Sequence, residues 1–151
     1  MLSNIIKGTK CMQKKIISGI PSRQELFQLL QVNPGLLVIK LGATWCKPCK
    51  KIAPALERFF ASSPDEVLCA DLDVDECVDL YSFYKSKKMV NGIPVVMCYV
   101  KGNTTFAPDD MITGADHEQL VAFFKRCGNA LAKLQYQEKV ASQLKTGENQ
   151  E

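Results

Sequence analysis

The chain is poor in the residue from which a histidine-based metal or catalytic site is built: of 151 residues, one is histidine (His117), and tryptophan likewise occurs once (Trp45). Apolar runs are short. None approaches the ~20 residues needed to cross a bilayer, and the start lacks the apolar core of a secretory signal. There is no internal repeat and no low-complexity linker. Acids are missing from residues 1–24, which carry Lys7, Lys10, Lys14, Lys15 and Arg23. An acid-poor basic start is one mark of a transit peptide, but the apolar run Lys15–Ile20 reads better as a first strand. The net charge of +3 is too small to drive binding to nucleic acid or to a membrane, and neither is expected as a partner.

What is present suits one globular domain. Hydrophobic residues at 46% and charged residues at 23% exclude wholesale disorder, and the length suits a single core. Seven cysteines are many and odd in number. A core of this size needs no disulfide staples, and Cys69 and Cys98 fall inside apolar runs where a free thiol behaves as a small hydrophobe. A reducing compartment, the cytoplasm, is therefore expected.

Lys14–Ile20 reads as a strand closed by Pro21. Ser22 and Glu25 have the spacing of a capping box, and Leu26, Leu29 and Leu30 continue at helical intervals to the stop at Asn33-Pro34-Gly35. Leu36–Leu41, broken only by Lys40, suits a strand covered on both faces. Trp45–Ser63 reads as a helix with Pro54 inside it. Val67–Val74 reads as a strand, Asp75–Lys87 as a helix and Val95–Val100 as a strand. A turn at Lys101-Gly102-Asn103 leads to an irregular strand over Thr104–Thr113. Gly114 precedes a final helix with Leu120, Phe124, Cys127, Leu131 and Leu134 on one stripe. The order β-α-β-α-β-α-β-β-α implies an α/β fold, a mixed central sheet flanked by helices. Residues 1–13 read as a basic extension, 14–136 as the domain and 137–151 as a polar tail whose end, from Thr146, frays.

Chemistry concentrates at Cys46 and Cys49. Two cysteines three apart at a helix start can close a disulfide, and free backbone N–H groups with the positive end of the helix dipole stabilise a thiolate there. Lys47, Lys50 and Lys51 add positive charge, and Pro48 stands where a missing N–H costs nothing. The competing reading is half of a zinc site. Zinc needs a second ligand pair, and the remaining cysteines are scattered singly, so no metal is expected.

The segment Ala43-Thr44-Trp45-Cys46-Lys47-Pro48-Cys49-Lys50 resembles the active site of the thioredoxin family, whose usual form is Trp-Cys-Gly-Pro-Cys. Pro54 matches the family's helix-kinking proline, Gly92-Ile93-Pro94 its cis-proline loop, and Gly114 the glycine before its last helix. The likeness extends over residues 14–131. It implies the thioredoxin fold and reduction of protein disulfides with no bound cofactor. Cys46, exposed, would attack a substrate disulfide, and Cys49, more buried, would resolve the mixed disulfide. Trp45, Ile93 and Pro94 would contact the substrate, and a separate NADPH-dependent thioredoxin reductase would recharge the dithiol.

Two departures bear on activity. Lys47 replaces a glycine, which favours the Cys46 thiolate and a more oxidising couple; the alternative is a solvated lysine that changes little. Lys40 stands where thioredoxins carry a buried aspartate that assists proton transfer. Asp71 aligns with a position on the next strand where some relatives carry lysine, so the pair is expected with its charges exchanged. Asp71 would then accept the proton of Cys49 while Lys40 steadies negative charge; the alternative is that both reach solvent separately. Cys77 resembles an additional cysteine of some animal thioredoxins, regulatory or merely packed. Lys85, Lys87 and Lys88, beside the expected active face, either tune partner choice by charge or belong to a merely solvated insertion. Two other functions remain open at this stage: a thioredoxin-fold interaction module without efficient turnover, and a secretory oxidase or isomerase, the latter disfavoured by the missing signal and the free thiols.

Overall fold

A computed structural model describes residues 14–148; Cys11 and the basic segment 1–13 lie outside the described residues, as do residues 149–151. The elements are β1 (Ile16–Ile17), α1 (Arg23–Val32), β2 (Leu36–Gly42), α2 (Lys47–Ser62), β3 (Val67–Asp73), α3 (Val78–Ser86), β4 (Val95–Val100), β5 (Asp110–Thr113) and α4 (His117–Glu148). Their order is the expected one. The sheet runs β1-β3-β2-β4-β5, with β3 parallel to both β1 and β2, and β4 antiparallel to β2 and β5.

Strand β2 is central, and its two-residue period sorts the core. Leu37, Ile39 and Leu41 face α1 and α3, packing with Leu26, Leu30, Leu80 and Tyr84. Leu36 and Val38 face α2 and α4, packing with Ile52, Leu56, Phe60, Phe123 and Cys127. Lys40 is the next residue on that second face. Its partners across the sheet are Asp71 on β3 and Val96 on β4. Buried polar groups are satisfied: the Tyr84 and Tyr99 hydroxyls bond at 2.6 Å, and Tyr99 donates on to the Phe106 carbonyl at 2.7 Å.

Several expectations about element ends are corrected. Strand β1 is two residues long, and β5 covers only the last four of Thr104–Thr113. Pro108 lies in the irregular part, where it has no ladder to interrupt. The capping box forms only in part. Ser22 holds the N-cap position of α1, but its hydroxyl donates to the Glu25 carboxylate rather than capping a backbone N–H. Helix α4 continues unbroken past Tyr136, so Thr146–Glu148 are helical rather than frayed. Phe123, rather than its neighbour Phe124, is the fully buried aromatic of that helix; Phe124 stacks on Phe59 with ring centroids 4.2 Å apart.

Helix α3 ends in a turn normally reserved for glycine. The Met89 N–H donates to the Tyr84 carbonyl at 3.1 Å and the Lys88 N–H to that of Lys85 at 3.0 Å, a Schellman pairing. Lys88 takes the left-handed position at φ 57°, which costs an L-residue roughly 1–2 kcal/mol. Lys88→Gly removes that cost but adds unfolded-chain entropy, so we expect a net gain of about 0.5–1 kcal/mol. Thermal unfolding checks it: Tm rises by roughly 1–4 °C, whereas an unchanged or lower Tm contradicts the assignment.

Candidate active site

The C-terminal end of β2 leads through Ala43–Trp45 into α2, and the loop is closed by the Cys46 N–H donating to the Ala43 carbonyl at 3.2 Å. Cys46 is the N-cap of α2. Its sulfur accepts the Cys49 N–H at 3.3 Å, the contact a thiolate would use at a helix start. The two cysteines are joined as a disulfide with Cα atoms 5.3 Å apart, inside the normal range. Pro48 lies in the first turn, and no acidic side chain lies in that turn to oppose the charge. Lys47, Lys50 and Lys51 are exposed around it.

The expectation of an exposed Cys46 is corrected. In this oxidised form Cys46 is 4% exposed and Cys49 3%, because the Cys46 sulfur turns toward the neighbouring loop, 4.0 Å from the Ile93 carbonyl oxygen. Surroundings, rather than exposure, distinguish the two sulfurs. The Ile93–Pro94 bond is cis. The Pro94 carbonyl is taken by the Gly114 N–H at 2.9 Å, so the Gly92-Ile93-Pro94 loop and Gly114 meet beside the dithiol. Trp45 is 65% exposed, with its indole N–H donating to Asp75 at 2.8 Å. That bond fixes the orientation of a large apolar ring at the mouth of the site.

Lys40 and Asp71 meet behind the disulfide. Lys40 Nζ lies 3.0 Å from Asp71 Oδ1, with side-chain exposures of 12% and 42%. The strand register alone brings them together, since residues 40 and 71 are direct partners in the parallel β2–β3 ladder. A lysine on a strand covered on both faces thereby gains the counter-charge it requires.

The other described cysteines are packed. Cys77 is buried at the N-cap of α3, its thiol donating to the Asp73 carbonyl at 3.1 Å. Burial, with Asp73 and Glu76 nearby, pushes its pKa up to about 11. Burial raises Cys69 too. The neighbouring Cys127 thiol and burial raise Cys98, and Cys127 is itself a buried free thiol. Lys85 and Lys87 lie over aromatic rings, Lys85 Nζ 4.6 Å from the Tyr81 centroid and Lys87 Nζ 5.4 Å from that of Phe106.

Sequence reasoning missed Asp75 and Gly42. Asp75 sits in an acidic run with no signal to separate it from its neighbours. Gly42 had one: a glycine closing an apolar strand marks a close approach.

A family model described as Thioredoxin matches residues 18–126. Among curated relatives, the mitochondrial thioredoxin of Mus musculus is 32% identical over 90 residues, covering 60% of this chain and 50% of that protein. The chain thus spans about half the length of the curated relatives it first matches. Among solved structures, the Malassezia sympodialis thioredoxin Mala s 13 is 26% identical with a TM-score of 0.57, covering 74% of this chain and 91% of that one. The Trichomonas vaginalis thioredoxin, 24% identical, shares the fold with a TM-score of 0.61 over 74% of this chain and 96% of that one.

The environments of the thiols predict an order of reactivity. After reduction, brief alkylation near neutral pH labels Cys46 ahead of Cys49, and Cys77 stays unlabelled. With a pKa of about 11, Cys77 is ionised to roughly one part in a thousand at pH 8. Peptide mapping reads the order; labelling of Cys49 first, or of Cys77 alongside Cys46, contradicts it.

Proposed function

The chain belongs to the thioredoxin family, and from that premise we propose that it reduces protein disulfides through the Cys46/Cys49 dithiol. Cys46 is the attacking group. Its thiolate forms a bond to one sulfur of a substrate disulfide, and the other substrate sulfur leaves as a thiolate and takes up a proton. Cys49, as thiolate, then attacks the Cys46 sulfur. The bond to the substrate breaks, the second substrate thiol departs, and the Cys46–Cys49 disulfide remains. Two electrons pass from the chain to the substrate.

One observation carries this reading: a disulfide straddles the start of α2 with the Cys46 sulfur 4.0 Å from the Ile93 carbonyl. Trp45, Ile93 and Pro94 form the substrate contact. An extended segment can pair with the backbone of Ile93, and the indole covers its flank. Pro48 gives the first turn its fixed φ without the loss of a hydrogen bond. Lys47 favours the Cys46 thiolate and makes the couple more oxidising, while Lys40 and Asp71 tune the site from behind as an ion pair.

The oxidised chain needs an external electron source, for which an NADPH-dependent thioredoxin reductase is our assignment. Among the described residues, four buried free thiols suit a reducing compartment. We assign the cytoplasm, with the mitochondrion as the second reading that the mitochondrial relatives favour. Among the described residues, no helix is long and apolar enough to cross a membrane.

Reduction of insulin disulfides with reductase and NADPH present tests the activity. Turnover is expected for the parent chain and only background for Cys46→Ser. Cys49→Ser accumulates a mixed disulfide through Cys46, because the resolving thiol is gone. A folded parent with no turnover favours the interaction-module reading, and equal trapping by both variants contradicts the order of attack.

A further inference from the structure

Gly42, the last residue of β2, is buried and faces two groups of opposite function. A Cβ built on it would stand 2.9 Å from Lys40 Cε, 3.2 Å from Lys40 Nζ and 3.3 Å from Cys49 Sγ. The ammonium and the sulfur therefore border the same small space, which is open only because residue 42 has no side chain. Behind it lies a polar cleft of about 280 Å³ lined by Lys40, Gly42, Thr44, Asp71, Asp73 and Glu76. Lys40 thus connects three things: the sulfur across Gly42, Asp71 at 3.0 Å, and solvent through the cleft.

We propose that Gly42 is a positioning residue that lets the Lys40 ammonium reach the Cys49 sulfur, and that this cation, rather than the Asp71 carboxylate, makes Cys49 ionise. The inference rests on the dithiol reading above and specifies how its second step is served. When Cys49 ionises, its proton leaves into the cleft and the electron pair stays on Sγ, facing Lys40. The thiolate then attacks the Cys46 sulfur, and the substrate sulfur leaves with the electrons of the broken bond. A cation a few ångströms from a buried sulfur favours the thiolate strongly, because little solvent screens the pair.

The other charges around Cys49 do not duplicate this contact. Lys47, Lys50 and Lys51 on α2 are exposed. Asp71 and Asp73 on β3, with Glu76 beyond it, line the cleft and oppose ionisation of Cys49. The Asn91–Pro94 loop and the facing part of β4 contribute no titratable side chain. Cys46 is the sulfur that Cys49 must attack. Lys40 is thus the single cation inside the site among the described residues, and Gly42 sets its reach.

Titration of Cys49 in the reduced Cys46→Ser chain tests this directly. The ultraviolet thiolate signal is taken as the difference from the Cys46→Ser/Cys49→Ser chain, so the other cysteines cancel. Lys40→Met is expected to lower the Cys49 thiolate population at neutral pH about tenfold, and Lys40→Arg to restore most of it. Gly42→Ala, whose added methyl displaces the flexible end of Lys40 and presses more lightly on Cys49 Sγ, is expected to lower it by a similar factor with the fold intact. Asp71→Asn leaves the ammonium in place and removes an opposing anion, so the thiolate population stays level or rises. A fall with Asp71→Asn assigns the role to the carboxylate and overturns the proposal, as does an unchanged titration in Lys40→Met or in Gly42→Ala. If Lys40→Met fails to fold, the Gly42→Ala and Asp71→Asn titrations decide alone. No substrate takes part, so failure here is separate from failure to turn over protein disulfides.

Discussion

The in-register parallel ladder of β2 and β3 sets Lys40 against Asp71 and Gly42 against Asp73, and the geometry behind the dithiol follows from it. The alternation of β2 sends Leu36, Val38 and Lys40 to the face covered by α2 and α4. A slip of one residue would turn Lys40 toward α1 and α3 and bury its charge among Leu26, Leu30, Leu80 and Tyr84. The ion pair therefore depends on the register that also packs the core. It costs desolvation, which its partner and the adjoining cleft offset.

At the front, the controlling feature is the start of α2. The Cys46 sulfur accepts the Cys49 N–H, and the exposed lysines near the first turn leave the helix dipole unopposed. The same chemical group, a thiol, behaves differently elsewhere in the chain. Cys77 stands at the start of α3 but its sulfur accepts no helix N–H, and burial outweighs the Ser63 hydroxyl at Cys69; burial and neighbouring groups raise Cys77 and Cys98 as well. In the proposed mechanism placement, not sulfur content, selects the two cysteines that do chemistry.

Much of this was legible before the structure. The Cys-Lys-Pro-Cys spacing after an apolar strand located the dithiol, and the resemblance to the thioredoxin family put the cis peptide bond at Gly-Ile-Pro and Asp71 beside Lys40. The weaker readings concerned quantities that local pattern does not encode. Strands β1 and β5 are short because each sits at a sheet edge, where apolar periodicity outlasts the hydrogen-bonded ladder. Ser22 and Glu25 had the spacing of a capping box, but the hydroxyl turned to the carboxylate. The burial of Cys46 depends on the turn of its sulfur toward Ile93, a contact between residues far apart in sequence. Gly42 was visible as a glycine, but that its missing side chain joins Lys40 to Cys49 is a three-body fact.

The central claim is that Cys46 and Cys49 alone form a reversible two-electron couple poised to exchange with protein thiols. The most direct measurement is a redox titration in graded thiol–disulfide buffers, with each cysteine trapped by alkylation and counted by mass. The account predicts one two-electron transition confined to Cys46 and Cys49, at a potential of roughly −300 to −180 mV, with the buried thiols reduced throughout. A pair that neither opens nor closes in that range, or a transition shared with the buried cysteines, would contradict it.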